Sequence, residues 1–217
     1  MSNQNISLLK TRLHRPLVSA AYIHRPRLIE RLEHYQNRSV VLVSAPAGYG
    51  KSSLISSWLE DCKRPSVWVS LDEDDNDQHQ FLNYFVAAVS QLFPSEMHQS
   101  QAMVAAPILP PMPVLMATMI NNLEKIEQGF IVVLDDIHCI QSQRVHELLK
   151  LVLRELPRCL QLVMVGRRDP LLPIASLRAG GRLTELRMRD LRFTADEAKQ
   201  YLSAELGLQL DASTITS

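Results

Sequence analysis

The sequence predicts an α/β fold, a central parallel sheet of about five strands flanked by helices, followed by the start of a small helical domain. Three observations carry that expectation. Short apolar runs alternate with amphipathic stretches along most of the 217 residues. The runs Val40–Val43, Phe130–Leu134 and Leu160–Val165 show no polar alternation, as suits strands covered on both faces. The first of them leads straight into a small-residue turn, S-A-P-A-G-Y-G-K-S-S, with an amphipathic stretch behind it. Such a strand, loop and helix start sets bare backbone N–H groups around a phosphate.

Each element has its own signal. Residues 1–20 read as irregular, with Pro16 breaking any helix. From Pro26, the positions Leu28, Ile29, Leu32 and Tyr35 form one apolar stripe on a helix with proline at its first position. After the loop, Leu54, Ile55, Trp58 and Leu59 predict a helix from Lys51 to about Cys62. Ser66–Leu71 is a second strand, ending in the acidic loop Asp72–Asp77, which reads either as solvated or as touching the site or a neighbouring domain. Phe81, Tyr84, Phe85, Ala88, Val89 and Leu92 mark the next helix.

Pro94–Pro113, rich in proline and without clear periodicity, reads as a long surface excursion. A helix over about Val114–Ile126 precedes the third strand, which closes in Asp135-Asp136. Ser142 is positioned to cap a helix that turns Val145, Leu148, Leu149 and Val152 inward. The fourth strand ends in Gly166-Arg167-Arg168-Asp169, and Thr184–Met188 is a weaker fifth. Arg187, Arg189 and Arg192 alternate along that edge as a solvated face. Thr194 and Glu197 form a capping box for a last helix running through Leu206. The expected division is an N-terminal extension over 1–24, a nucleotide-binding domain over 25–192 and a helical domain opening at 193–217. Spacing does not give the strand order.

Composition narrows the function. Lys plus Arg and Asp plus Glu both number 23, so net charge points to neither nucleic acid nor membrane. Cys62, Cys139 and Cys159 are far apart and odd in number, without zinc or disulfide spacing. A reducing cytoplasm fits. No apolar run approaches a signal peptide or the ~20 residues of a membrane span. His138 and His146 lack metal-site spacing and read as packed or exposed side chains.

The chemistry gathers at the loop. Ala45 stands where the phosphate-loop pattern G-x-x-x-x-G-K-[ST] has its first glycine, and alanine is the smallest alternative. The segment Ala47, Gly48, Tyr49, Gly50, Lys51, Ser52 and Ser53 would cradle phosphates. Gly48 and Gly50 permit close backbone approach, Lys51 supplies a point charge and Ser52 can ligate magnesium. Asp135, at the end of a neighbouring strand, is the second magnesium candidate. Asp136 occupies the place of a water-polarising acid; being one methylene shorter than glutamate, it predicts weak or slow hydrolysis. Arg167 follows the fourth strand and can report a γ-phosphate, with Arg168 as rival or as the ion-pair partner of Asp169. Arg25, in R-P-R-L, can lie near base and ribose.

These strings together resemble the N-terminal nucleotide-binding domain of the large ATP-binding LuxR-type transcription regulators, within the STAND class of signal-transduction ATPases. V-S-A-P-A-G-Y-G-K-S-S-L-I-S-S-W, W-V-S-L-D-E-D-D-N-D, V-L-D-D-I-H and L-R-F-T-A-D-E-A carry the likeness. Ala45 is typical of that group. The resemblance implies a switch that binds ATP or ADP with Mg2+: ADP holds a resting state, while ATP with an inducer permits self-association. It further implies DNA contact through a C-terminal domain that this chain lacks, so that the chain ends inside the small helical domain. Adenine over guanine rests on the resemblance too. Two other classes remain open, a motor ATPase or small-molecule kinase, and an interaction module whose nucleotide is structural.

Overall fold

The structure, a computed structural model, describes residues 8–19 and 22–206, with the backbone alone for 204–206. Parts of the expected N-terminal extension (1–7 and 20–21) and of the expected helical domain (207–217) lie outside the described residues. Five strands, β1 (Val40–Ser44), β2 (Ser66–Ser70), β3 (Phe130–Asp135), β4 (Leu160–Gly166) and β5 (Leu183–Arg187), pair in parallel in the order β2-β3-β4-β1-β5. All carboxyl ends therefore share one edge of the sheet, and the loop after β1 lies near its middle.

Alternate side chains of the buried strands feed two cores. On one face Val41, Val43, Val133 and Val163 pack against α1 (Pro26–His34) and α2 (Lys51–Asp61) through Leu28, Leu32, Leu54 and Trp58. On the other, Val40, Leu42, Val132, Leu134 and Leu162 meet α3 (Gln78–Leu92), α4 (Pro94–Val104), α5 (Met112–Glu124) and α6 (Gln143–Arg154). Each such Val or Leu contributes about 1.5–3 kcal/mol on burial. That two-sided burial is why the runs lack polar alternation. Beyond β4 come α7 (Ile174–Ala179), the short α8 (Met188–Leu191) and α9 (Ala195–Leu206).

Several expectations need correction. The proline-rich excursion is mostly α4, with Met97, Ser100 and Val104 buried. Pro94 is its first residue, where the missing N–H costs nothing. The apolar period was hidden because its middle position is a serine, whose Oγ accepts a hydrogen bond from Asn122 Nδ2 at 2.9 Å. Only 105–111 between α4 and α5 is irregular.

Ser142 occupies the N-cap of α6 but its side chain makes no capping bond. Asn76 Oδ1 instead accepts from the N–H groups of Gln141 and Ser142, both at 2.6 Å. The acidic loop is not simply solvated. It forms a 3-10 turn, Glu73–Asn76, in which Asp75 is fully buried and paired with Arg12. β5 ends at Arg187, so Arg189 and Arg192 do not alternate along it. Arg12 and Leu13 form part of a second 3-10 turn, Lys10–Leu13, in the segment expected to be irregular.

Candidate functional site

The loop between β1 and α2 has the geometry its residues suggest. Gly48 and Gly50 take left-handed backbone, φ 84° and 67°, where a Cβ would be strained although nothing lies within 4 Å of it. The need for glycine is conformational, and the space above the loop stays open. Lys51 begins α2, and its side chain folds back so that Nζ donates to the Pro46 carbonyl at 2.9 Å. Burial pushes the Lys51 ammonium below its ordinary pKa; Asp136 and Asp135 oppose that, and Arg167 adds to it.

Asp135 is buried at the end of β3 and accepts from Ser52 Oγ at 3.1 Å and from the Asp136 N–H at 3.0 Å. The strand expected beside β1 is not β3, because β4 lies between them. The contact forms because the first turn of α2 reaches across the end of β4. That end is Gly166, where a Cβ would lie 2.9 Å from Ile137 Cγ2. The sequence placed Gly166 at the end of this strand but gave no sign that a side chain there would meet Ile137.

Burial pushes the Asp135 carboxyl up to about 6, against the hydrogen bond from Ser52 that favours its charged form. A carboxyl whose folded pKa lies above its unfolded value of 3.8 is destabilising once charged, so the ligand-free fold loses stability as pH rises from about 4 to 6. Asp135→Asn keeps an acceptor for Ser52 and removes that charge. We expect it to raise the melting temperature of the ligand-free protein at pH 7.5, by the equivalent of about 3 kcal/mol, and not at pH 4. Melting curves at the two pH values check this. An unchanged Tm at pH 7.5 would show that the charge costs nothing there.

Asp136 is the one non-glycine residue with positive φ (55°) among the described residues, a position that costs energy unless something requires it. Its carboxylate is half exposed, and Oδ1 lies 3.6 Å from His138 Nδ1. His146 is packed, its Nδ1 2.9 Å from the Ser142 carbonyl oxygen. Arg167 is exposed and makes no hydrogen bond or ion pair among the described residues, yet its charge is felt at Lys51 and His138. The expected pair of Arg168 with Asp169 does not form. Asp169 binds Arg187, and Arg168 Nη2 donates to the His138 carbonyl at 3.4 Å.

Beside the loop lies a cavity of about 550 Å³. Six of the residues that the sequence singled out, Ala47, Gly48, Tyr49, Gly50, Ser53 and Arg25, line it. Six further lining residues were not foreseen: Tyr22, Ile23, Leu191, Arg192, Phe193 and Tyr201. Arg25 is present but its guanidinium is largely committed to protein. Its Nη2 donates to the Leu191 carbonyl (2.8 Å), the Arg192 carbonyl (3.0 Å) and Glu197 Oε2 (3.3 Å), and it lies over the Phe193 ring. Arg27 Nε donates to Glu197 Oε1 at 2.9 Å. Burial alone would raise the Glu197 pKa; bonds from Arg27, the Thr194 N–H and Arg25 outweigh it and hold the carboxylate charged. The capping box at Thr194 and Glu197 is formed as expected.

A nucleotide with magnesium fits these residues. The left-handed glycines leave backbone N–H groups free of side-chain cover, and Lys51 offers a buried cation. Ser52 and Asp135 offer two oxygens. Among the described residues no group of three or more His, Cys, Asp or Glu could enclose a metal. Two protein oxygens suit magnesium, which keeps waters and takes further ligands from phosphates. No helix among the described residues is long and apolar enough to cross a membrane.

Comparison with known proteins agrees with this geometry. The family model of the AAA ATPase domain matches residues 23–165. The chain is 35% identical over 205 residues to the HTH-type transcriptional regulator MalT of Klebsiella pneumoniae, covering 94% of this chain and 23% of that protein. It therefore spans about a quarter of the length of the curated relatives it matches. Among solved structures it is similar to a Signal Transduction ATPase with Numerous Domains (STAND) protein with a tetratricopeptide repeat sensor from Pyrococcus horikoshii. That likeness has a TM-score of 0.59 and 17% identity, covering 93% of this chain and 28% of that one. The ORC1 protein of Aeropyrum pernix, solved in complex with DNA, follows at a TM-score of 0.55 and 14% identity, covering 88% of this chain and 51% of that one. These two likenesses concern the fold alone.

Proposed function

The chain belongs to the AAA ATPase domain family, and from that premise we propose that it is the ATP- or ADP-binding switch module of a signal-responsive transcription regulator, hydrolysing ATP slowly at most. The observation that carries the reading is the composition of the cavity walls. The phosphate loop forms one side, the 22–25 segment another, and Leu191, Phe193 and Tyr201, from α8, the loop after it and the middle of α9, a third. A ligand touching all three would bias how the segment after residue 192 sits on the sheet domain. A nucleotide shifts such an equilibrium only by its difference in affinity for the two arrangements.

In this scheme the Gly48–Ser53 backbone holds phosphates, with Lys51 as counter-charge. Ser52 and Asp135 hold magnesium, which would supply charge neutralisation between phosphate oxygens. Phe193 and Tyr201, with ring centroids 5.7 Å apart, and Tyr22 offer aromatic faces to the base. Arg25 acts mainly as a strut for that wall. Arg167 is free to meet a γ-phosphate. Asp136, short and half exposed, is a poor water-polarising acid, which favours sensing over turnover. In a protein as long as the curated relatives, self-association and DNA contact through a separate C-terminal domain would complete the scheme, in a cytoplasmic setting. Residues 193–217 would open the helical domain.

Calorimetric titration of the chain with ATP, ADP and GTP, each with magnesium, tests the reading. Adenine nucleotides should bind, GTP more weakly, and turnover should stay below about one per second, under ordinary enzyme rates. A folded chain that binds none of them would overturn it. Phe193→Ala should weaken ADP about tenfold, in line with the ~1 kcal/mol of an aromatic contact, and leave inorganic triphosphate unaffected. Equal losses for both would mean that the ring supports the fold and not the base.

A further inference from the structure

At the opposite end of the sheet lies a second cavity, of about 560 Å³, that the nucleotide scheme does not use. Its position follows from topology. In an all-parallel sheet every strand begins at the same edge, so the five entering loops converge there. Four of them carry an arginine just ahead of their strand: Arg38 before Val40, Arg64 before Ser66, Arg158 before Leu160 and Arg182 before Leu183. The fifth loop carries Gly129, which leaves room between them. Arg154, ending α6, completes the set, and all five arginines line the cavity. None of its lining residues is acidic. The chain as a whole carries equal numbers of acids and bases, so this is a local excess of charge.

Two of the side chains, Arg38 and Arg182, are held in place by groups that do not cancel their charge. Arg38 Nη1 donates to the Leu183 carbonyl at 2.7 Å while its guanidinium stacks 3.9 Å from the Tyr35 ring centre. Arg182 donates to Ser39 Oγ at 3.2 Å and to the Leu153 carbonyl at 2.6 Å. Among the described residues, Arg154 is the one of the five with an acidic partner, its exposed neighbour Glu155. Arg64 Nη2 is buried without a hydrogen-bond partner among the described residues, a donor short of an acceptor. Part of the arrangement is explained by helix carbonyl ends, which face this edge and attract cations. Arg182 serves that purpose at Leu153. Carbonyls do not account for the unpartnered nitrogen of Arg64, nor for Arg158.

We propose that this cavity is a second ligand site, for a small phosphate-bearing anion, distinct from the phosphate loop. Arginine forks match phosphate oxygens two at a time, and pre-positioned guanidinium groups lose little freedom on binding. The volume and concavity suit a small molecule.

The test uses inorganic tripolyphosphate and the Lys51→Ala chain, in which the phosphate loop is disabled; the unmodified chain saturated with Mg-ADP serves as an independent block. By calorimetry, tripolyphosphate should still bind with 1:1 stoichiometry, more weakly as salt rises. Arg154→Ser with Arg158→Ser, both exposed positions, should cut that affinity about tenfold or more. Arg64→Lys, which keeps the charge and removes the fork, should weaken it as well. No binding once the phosphate loop is disabled, or binding indifferent to the arginine changes, overturns the site. Citrate binding as tightly as tripolyphosphate overturns the phosphate preference. A 12-nucleotide single strand that binds tighter than tripolyphosphate, through the same arginines, replaces the small anion by nucleic acid. Since nucleotide binding at the loop is read separately, failure here leaves the proposed function untouched.

Discussion

Lys51→Ala is expected to weaken ATP binding by about 100-fold, with the fold intact by circular dichroism. The ammonium is buried at the start of α2, opposite two carboxylates, Asp135 and Asp136, whose charges it balances. Nζ donates to the Pro46 carbonyl, so the lysine closes its own loop, and under the proposed function it would exchange that bond for phosphate oxygens. Charge-assisted hydrogen bonds contribute roughly 1.5–3 kcal/mol each, and one or two of them suffice for two decades of affinity. Diphosphate should suffer less than triphosphate, since one outer phosphate is missing. Titration calorimetry at pH 7.5 with both nucleotides measures the difference. Retention of ATP affinity within a factor of about three would remove the lysine from the site.

The second large effect concerns stability. Arg12→Ala is expected to destabilise the protein by about 3–5 kcal/mol, the cost of leaving a buried charge without its partner. Asp75 is fully buried and faces Arg12, whose guanidinium also lies 4.0 Å from the Tyr84 ring centre and whose Nε donates to the Ser70 carbonyl at 2.9 Å. Burial pushes Asp75 up, while the Asp72 N–H and the Arg12 charge hold it down. Removing the arginine leaves burial dominant, so the carboxyl would take up a proton or the turn would open. Adding Asp75→Asn to Arg12→Ala should recover much of the loss, because the unpaired charge is gone. Urea denaturation of the two single variants and the double variant completes the cycle. If the losses simply add, the pair is not coupled and the effect belongs to packing against Tyr84.

The legible part of this protein was local. Val40–Val43 and Phe130–Leu134 announced buried strands because a strand covered on both faces has no polar positions. The turn between β1 and α2 was readable through Ala45 because Gly48 and Gly50, the residues its left-handed backbone demands, are neighbours in sequence. Thr194 and Glu197 were readable as a cap for the same reason, three residues apart. α4 was not, since Ser100 interrupts its apolar face and is satisfied by Asn122 from another helix.

Sequence alone, then, determined the α/β class, the run of strands, the glycine turn between β1 and α2 and the two acids that close β3. Only the tertiary structure decided that β4 lies between β1 and β3, and that Tyr22, Phe193 and Tyr201 wall one cavity. It also decided that Arg25 and Glu197 meet across 172 residues, that Arg12 is clamped under Tyr84, and that the entering loops bring five arginines together. The physical reason is range. Backbone propensity, capping and amphipathic period act over three or four residues and leave their mark on neighbours. Partners brought together by strand order and helix packing share no such spacing, and nothing in the identity of either one names the other.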